Sequence, residues 1–80
     1  MDAAPVTSDP PMHAELFRLR KLTCRRAIEA ICEVRPLRGQ WECRLVVSDA
    51  PVETRLCSSP EAAAVHADRL REALVERGWR

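Results

Sequence analysis

A short run in the middle of the chain alternates between apolar and charged side chains. Residues 41–47 read Trp-Glu-Cys-Arg-Leu-Val-Val, so Trp41, Cys43 and Leu45 share one side while Glu42 and Arg44 share the other. A period of two is typical of a half-buried β-strand. We expect a strand over residues 40–47 at the centre of a small sheet, with a hairpin on each side and a helix over its apolar face.

The residues before this strand, 24–35, fit two patterns. A helix would collect Cys24, Ala27, Ile28 and Ile31 in one apolar stripe. A strand would instead turn alternate residues inward, namely Ile28, Ala30, Cys32 and Val34.

Cross-strand pairing favours the strand. Arg38-Gly39 can form a two-residue turn, with glycine where a positive φ is needed. Closing the hairpin there sets Arg35 opposite Glu42, and it also sets Glu33 opposite Arg44, Ile31 opposite Val46, Val34 opposite Cys43 and Cys32 opposite Leu45. Two opposite-charge pairs and a consistent apolar face stabilise such a ladder. The sequence therefore predicts a first strand over residues 28–36.

Turn-forming residues after position 47 predict a third strand. Residues 48–51 read Ser-Asp-Ala-Pro, and alternation then points Val52, Thr54 and Leu56 inward and Glu53, Arg55 and Cys57 outward. The tightest hairpin would oppose Arg44 to Arg55, so a four-residue loop over residues 49–52 is preferred.

The last third of the chain has the clearest helical pattern. Ser58 and Glu61 have the spacing of a capping box, while Ser59-Pro60 offers the alternative of serine at the cap and proline at the first helical position. Gly78 fits a left-handed C-cap, after which Trp79 can fold back onto the last turn. The prediction is a helix over residues 60–77, with an apolar stripe formed by Ala63, Ala67, Leu70 and Leu74.

The beginning of the chain is less regular. Residues 1–9 are predicted to be a flexible tail, and residues 10–80 a single small α+β domain. Asp9-Pro10-Pro11 is a helix-start signal, and Leu16, Leu19 and Leu22 follow at helical spacing, which predicts a helix over residues 10–23. The predicted order is α-β-β-β-α, a three-stranded antiparallel sheet with the C-terminal helix packed on one face.

This order resembles that of double-stranded-RNA-binding domains. Trp41 at the start of the central strand and Ser-Pro-Glu-Ala-Ala at residues 59–63 look like ethylene-response-factor DNA-binding domains. The segment from Cys32 to Trp79 is also similar to a class of very short bacterial proteins with a hairpin, a helix and a terminal Gly-Trp. The lysine-rich helix start of the RNA-binding family is absent, and the predicted sheet face carries glutamates. The resemblances therefore imply a topology and no specific activity.

Length and composition limit the classes of function. A chain of 80 residues has room for a thin core and not for a deep, desolvated active site. The first residues lack a basic region followed by an apolar run, so we expect no signal peptide, and no apolar run approaches the roughly 20 residues that cross a membrane. We expect a cytoplasmic protein that does not contact membranes and whose four cysteines are free thiols.

Basic residues are concentrated in one stretch. Residues 17–26 contain five of them and no acidic residue: Arg18, Arg20, Lys21, Arg25 and Arg26. On a helix, Arg18, Lys21 and Arg25 would form a stripe able to follow phosphates, although a solvated helix face has the same pattern. These five residues are the predicted site for a partner or for phosphate groups.

The cysteines do not have the spacing of a metal site, because none of them form a close Cys-x2-Cys pair. Cys32 and Cys43 are expected in the core. Cys57 is expected to face solvent beside Arg55 and near a helix N-terminus, which lowers a thiol pKa, so it is the candidate reactive thiol. His66, on the flank of the last helix's apolar stripe, is expected to be a partly buried packing residue. No catalytic residue, metal, cofactor or small-molecule substrate is predicted.

We therefore expect a small non-enzymatic interaction or regulatory module of bacterial or phage-like style. Its expected partner is a protein or a second copy of itself, bound through the first helix and the adjacent sheet edge. The first or the third predicted strand could supply the edge that pairs with a second copy. The alternative is a nucleic-acid-binding module that uses the basic residues of segment 17–26.

Overall fold

The computed structural model describes residues 14–80, which form a four-stranded antiparallel sheet followed by one helix. The strands follow one another in space in chain order: β1 (Ala14–Leu22), β2 (Ala27–Leu37), β3 (Gln40–Val47) and β4 (Ala50–Cys57). The helix α1 (Pro60–Glu76) packs on one face of the sheet. The class is α+β as predicted, but the sheet has four strands and not three.

The predicted first helix is wrong. Its residues 14–22 form the edge strand β1, while its first residues, 10–13, and the predicted tail 1–9 lie outside the described residues. β1 pairs with β2 along its length, with Phe17 opposite Cys32 and Leu19 opposite Ala30. A bulge between Glu15 and Phe17 shifts the pairing. The order α-β-β-β-α, and with it the resemblance to double-stranded-RNA-binding domains, does not describe residues 14–80.

The predicted hairpin between β2 and β3 is confirmed in every pair. Arg35 lies opposite Glu42, Glu33 opposite Arg44 and Ile31 opposite Val46. Arg38 and Gly39 form the turn with φ of 52° and 79°, as a two-residue turn with two positive φ angles requires. The alternative helix over residues 24–35 is thereby excluded.

The hairpin between β3 and β4 differs from the prediction. Ser48 and Asp49, with φ of 52° and 67°, form a two-residue turn in place of the expected four-residue loop. β4 contains a bulge in which Val52 is the extra residue, because Leu45 pairs with Glu53 and Val46 pairs with Pro51. As a result Arg44 lies opposite Thr54 and not opposite Arg55, so the two arginines do not repel each other across the hairpin. The bulge also reverses the predicted faces: Glu53 and Arg55 pair with the inward residues Leu45 and Cys43.

The helix begins and ends at its capping residues. Ser59 is the N-cap, and its hydroxyl accepts a hydrogen bond from the Ala62 N–H at 3.0 Å, which selects Ser59-Pro60 over the capping box. At the other end Gly78 has a φ of 96°, the N–H of Gly78 bonds to the Val75 carbonyl and the N–H of Trp79 bonds to the Leu74 carbonyl. This is a Schellman motif, and it turns Trp79 back into the core as predicted.

The core lies between the sheet and the helix. Small side chains on the helix allow close packing, since Ala63 and Ala67 are almost fully buried. The buried set is Leu19, Ala30, Cys32, Cys43, Leu45, Cys57, Ala63, Ala67 and Trp79. The opposite face of the sheet, which we call the outer face, has no second layer packed on it within residues 14–80.

Candidate protein-interaction edge

The outermost strand β4 has one side that no other part of the described chain pairs with. β4 bonds to β3 on its inner side and is last in the sheet order. An unpaired strand edge presents a row of free backbone N–H and C=O groups and is a template for pairing with another chain. We call this row the β4 edge.

The register fixes which residues of β4 direct their backbone groups outward. The residues that flank a two-residue hairpin turn form a hydrogen-bonded pair, so Leu37 and Gln40 bond to each other and the pattern then alternates along β3. Trp41, Cys43 and Leu45 therefore direct their backbone groups to β4, and their partners there are Cys57, Arg55 and Glu53. It follows that Thr54 and Leu56 direct their N–H and C=O groups away from the sheet.

The side chains along the β4 edge are exposed and partly apolar. Val52 is 59% exposed and Leu56 is 51% exposed. Thr54, between them, is also exposed. Isolated exposed apolar residues are common, but here two of them flank free backbone groups on one strand.

Charged residues occupy the helix side of the same strand. Oε2 of Glu53 lies 3.0 Å from Nε2 of His66 on α1, and the His66 side chain is only 14% exposed. Arg55 forms no ion pair with any residue from 14 to 80. It lines a groove of about 400 Å³ between β4 and α1 together with His66 and Arg69. The predicted partial burial of His66 is confirmed, while its polar contact with Glu53 was not predicted.

The second edge of the sheet is partly occupied. The backbone N–H of Arg20 on β1 bonds to the Arg80 carbonyl at 2.6 Å, and the Arg80 N–H bonds to the Arg20 carbonyl at 2.8 Å. The bulge near Leu16 further disturbs this edge. The strand predicted as first, now β2, is paired on both sides, so it offers no edge for dimerisation.

The outer face carries a network of opposite charges around two apolar residues. Arg18 contacts Glu15 and Glu29, each at 2.8 Å, and these hydrogen bonds raise the pKa of Arg18. Arg35 lies 2.6 Å from Glu42. Ile31 and Val46 lie side by side at the centre and are half-buried. Because each of these arginines is paired with a glutamate, the net electrostatic potential of the outer face is low.

The structure separates the five predicted basic residues. Arg18 and Arg20 lie on the outer face, since their strand partners are Ile31 and Glu29. Lys21 pairs with Ile28 and faces the helix side. The remaining two, Arg25 and Arg26, lie in the loop between β1 and β2. Because β1 is a strand, the predicted helical stripe of Arg18, Lys21 and Arg25 does not form.

Cys57 does not face solvent. It is 6% exposed, because its partner in the ladder is Trp41 and it points towards the helix. The predicted orientation is therefore wrong, and the predicted reactivity, which depends on exposure, stays a prediction. The core positions of Cys32 and Cys43 are confirmed: their sulfurs lie 3.5 Å apart, and burial raises the pKa of both thiols.

Within residues 14–80, no group of three or more histidine, cysteine, aspartate or glutamate side chains is placed to hold a metal ion. The same part of the chain contains no helix that is both long and apolar enough to cross a membrane.

The β4 edge was only partly visible in the sequence. Turn chemistry at Ser48-Asp49 located the strand, but the bulge at Val52 reversed its faces and the extra strand β1 changed which strand is central. One sequence signal could have identified the edge. In residues 52–56, which read Val-Glu-Thr-Arg-Leu, an acidic and a basic residue flank the central threonine and an apolar residue stands at each end.

Comparison of the chain with protein-family models, with curated proteins and with solved structures finds no match in any of the three.

Proposed function

We propose that this chain is a small, non-enzymatic module that binds protein by adding a strand at the β4 edge. The observation that carries the proposal is the backbone of Thr54 and Leu56, whose outward groups no strand within residues 14–80 pairs with, beside the exposed side chains of Val52 and Leu56. In strand addition, backbone hydrogen bonds supply affinity and alternate side chains supply specificity. We place this binding in the cytoplasm, in keeping with cysteines that are all unbridged.

Charged side chains beside the edge would select the added strand. Glu53 and Arg55 lie on the helix side of β4, two positions apart, so an incoming strand would meet one negative and one positive group on that side. Thr54 and Leu56 would meet its other side. A partner strand that alternates charged and apolar residues therefore fits this edge.

Photo-crosslinking in cells that express the protein tests the proposal. A photoreactive phenylalanine derivative at Leu56 should form a protein adduct, whereas the same group at the exposed helix residue Glu72 should not. Thr54→Pro removes an outward N–H without removing a bond to β3, so it should abolish the adduct. Thr54→Ala keeps the backbone donor and should preserve it. An adduct that is absent, or that Thr54→Pro leaves unchanged, contradicts the proposal.

A second candidate is nucleic-acid binding at the end of the molecule that contains the β1–β2 loop. The observation that favours it is a cavity of about 550 Å³ lined by three basic residues, Arg20, Lys21 and Arg80. Arg25 and Arg26 lie in the adjoining loop. Such a cluster would bind phosphates with an affinity that falls steeply as salt rises.

Electrophoretic mobility of generic duplex DNA and RNA tests this candidate at low and moderate salt. We expect a salt-sensitive shift that the Arg25→Glu/Arg26→Glu variant loses and the helix variant Arg71→Glu keeps. Absence of a shift at low salt contradicts nucleic-acid binding and leaves the β4 edge as the proposed site.

A further inference from the structure

Residues 52–56 are self-complementary when two copies run antiparallel. They read Val-Glu-Thr-Arg-Leu, so the acidic and basic residues lie at equal distances on either side of Thr54. In an antiparallel pair about a two-fold axis at Thr54, Glu53 would lie opposite the partner's Arg55, and Val52 would lie opposite the partner's Leu56. Each of these contacts occurs twice, because the two copies are equivalent.

The outward backbone groups of β4 fit this arrangement. Thr54 directs its N–H and C=O groups away from β3, so in this register it would form a hydrogen-bonded pair with the partner's Thr54 at the centre of the new ladder. The outward groups of Leu56 would lie opposite the partner's bulge residue Val52. Glu53 and Arg55 would then form the non-hydrogen-bonded pairs, in which side chains approach more closely. The charged pairs would thus occupy the positions where opposite charges interact most strongly.

Charge distinguishes this register from its neighbours. A slip by two residues in one direction would place Arg55 opposite the partner's Arg55, and a slip in the other direction would place Glu53 opposite the partner's Glu53. Like charges directly opposite each other are destabilising. A slip by one residue would exchange the two faces of the strand. Only the register centred on Thr54 satisfies both the backbone pattern and the charges.

The environment of the two charged residues leaves them able to make this contact. Oε2 of Glu53 contacts His66, while Oε1 makes no hydrogen bond to any residue between 14 and 80. Arg55 likewise forms no ion pair within that range. The partner's Arg55 would complete a His66–Glu53–arginine cluster at each end of the new ladder.

We infer that the occupant of the β4 edge is the β4 strand of a second copy, paired antiparallel about Thr54 to form an eight-stranded sheet with both helices on one face. This inference rests on the proposed function and names its partner. In this dimer the exposed residue Leu56 lies near the partner's exposed bulge residue Val52, so the two apolar residues of the edge come together across the new pair.

Charge reversal tests the register. In sedimentation velocity, the unmodified chain should show a monomer–dimer equilibrium. Glu53→Arg and Arg55→Glu should each weaken dimerisation about tenfold or more, because each variant alone places like charges opposite each other in both pairs. An equimolar mixture of the two variants should form a heterodimer, since one chain would then supply both arginines and the other chain both glutamates of the two charged pairs.

Controls separate this result from a general effect of charge or folding. Glu72→Arg on the helix should dimerise like the unmodified chain. Glu53→Gln keeps a hydrogen-bonding group for His66 and should weaken dimerisation by a smaller factor, which covers the case in which Glu53→Arg fails to fold. A chain that stays monomeric at all concentrations, or a mixture that does not restore association, overturns the inference.

The two proposals fail in different ways. If the purified chain is monomeric but the adduct at Leu56 contains another protein and is lost in Thr54→Pro, the self-pairing is wrong and strand addition at β4 stands. If the adduct is also absent, both are wrong.

Discussion

Arg20 and Arg80 exchange two backbone hydrogen bonds, of 2.6 and 2.8 Å, although one belongs to β1 and the other follows the helix. Residue 80 thereby covers part of the β1 edge, and the Schellman turn at Gly78 places it there. The two sheet edges are therefore not equivalent. This asymmetry is the main reason that we propose β4, and not β1, as the edge that a partner strand would join.

The position of Trp79 predicts a large contribution to stability. Trp79 is 8% exposed and joins the core just before the Arg20–Arg80 pair. Trp79→Ala should lower the free energy of unfolding by about 3–5 kcal/mol, because it removes a large buried side chain. Arg80→Ala, which keeps the backbone bonds to Arg20, is the control and should change it little. Urea denaturation measures both, and equal effects would contradict this account of the C-terminal turn.

The strand β1 can be tested against the helix that the sequence predicts there. Leu19 and Leu22 share one face of that helix, whereas in the structure Leu19 is 6% exposed and Leu22 is 82% exposed. Leu19→Ala should therefore cost about 2–4 kcal/mol and Leu22→Ala less than about 0.5 kcal/mol. Similar losses for the two variants in urea denaturation would favour the helix.

The start of α1 gives a prediction with a neighbouring control. The Ser59 hydroxyl accepts the Ala62 N–H, so Ser59→Ala should destabilise the protein by about 1 kcal/mol. Ser58→Ala should have little effect, because Ser59 is the cap residue. The two melting temperatures compare the variants directly, and a larger loss for Ser58→Ala would indicate that the capping-box alternative is correct.

Thiol labelling should separate the cysteines by burial. Cys24 is exposed, whereas Cys32, Cys43 and Cys57 are buried, so a thiol-reactive dye should label Cys24 first. Since burial raises the pKa of Cys32 and Cys43, their thiolate fraction stays small at pH 8 and increases only at higher pH. Mass spectrometry of labelled peptides gives the order. If Cys57 were labelled as fast as Cys24, its predicted reactivity would be supported and its buried position would not.

Local patterns predicted the parts of the fold whose partners lie nearby in the sequence. The register of β2 and β3 followed from two charge pairs and one turn, and the limits of α1 followed from Ser59, Pro60 and Gly78. In these elements the interacting residues are close together along the chain. Each pattern could therefore be checked against a second signal, such as a turn or a cap.

Bulges account for most of what the sequence did not predict. At Leu16 and at Val52 an extra residue interrupts the alternation, so the period of two changes phase within the strand. In β1 this interruption, together with leucines at helical spacing, favoured a helix. In β4 the bulge exchanged the inward and outward residues. For this reason the sequence predicted neither the buried position of Cys57 nor the outward position of Thr54. Neither effect is visible without the neighbouring strand.

Amide hydrogen exchange at Thr54 and Leu56 tests the role of the β4 edge most directly. In dilute protein these two amides should exchange quickly, while those of Glu53 and Arg55, bonded to β3, should exchange slowly. As the concentration rises and dimers form, Thr54 and Leu56 should become protected, while the exposed loop residue Cys24 stays fast. Fast exchange at Thr54 and Leu56 under conditions where the chain is dimeric would show that the dimer forms elsewhere and would contradict the account.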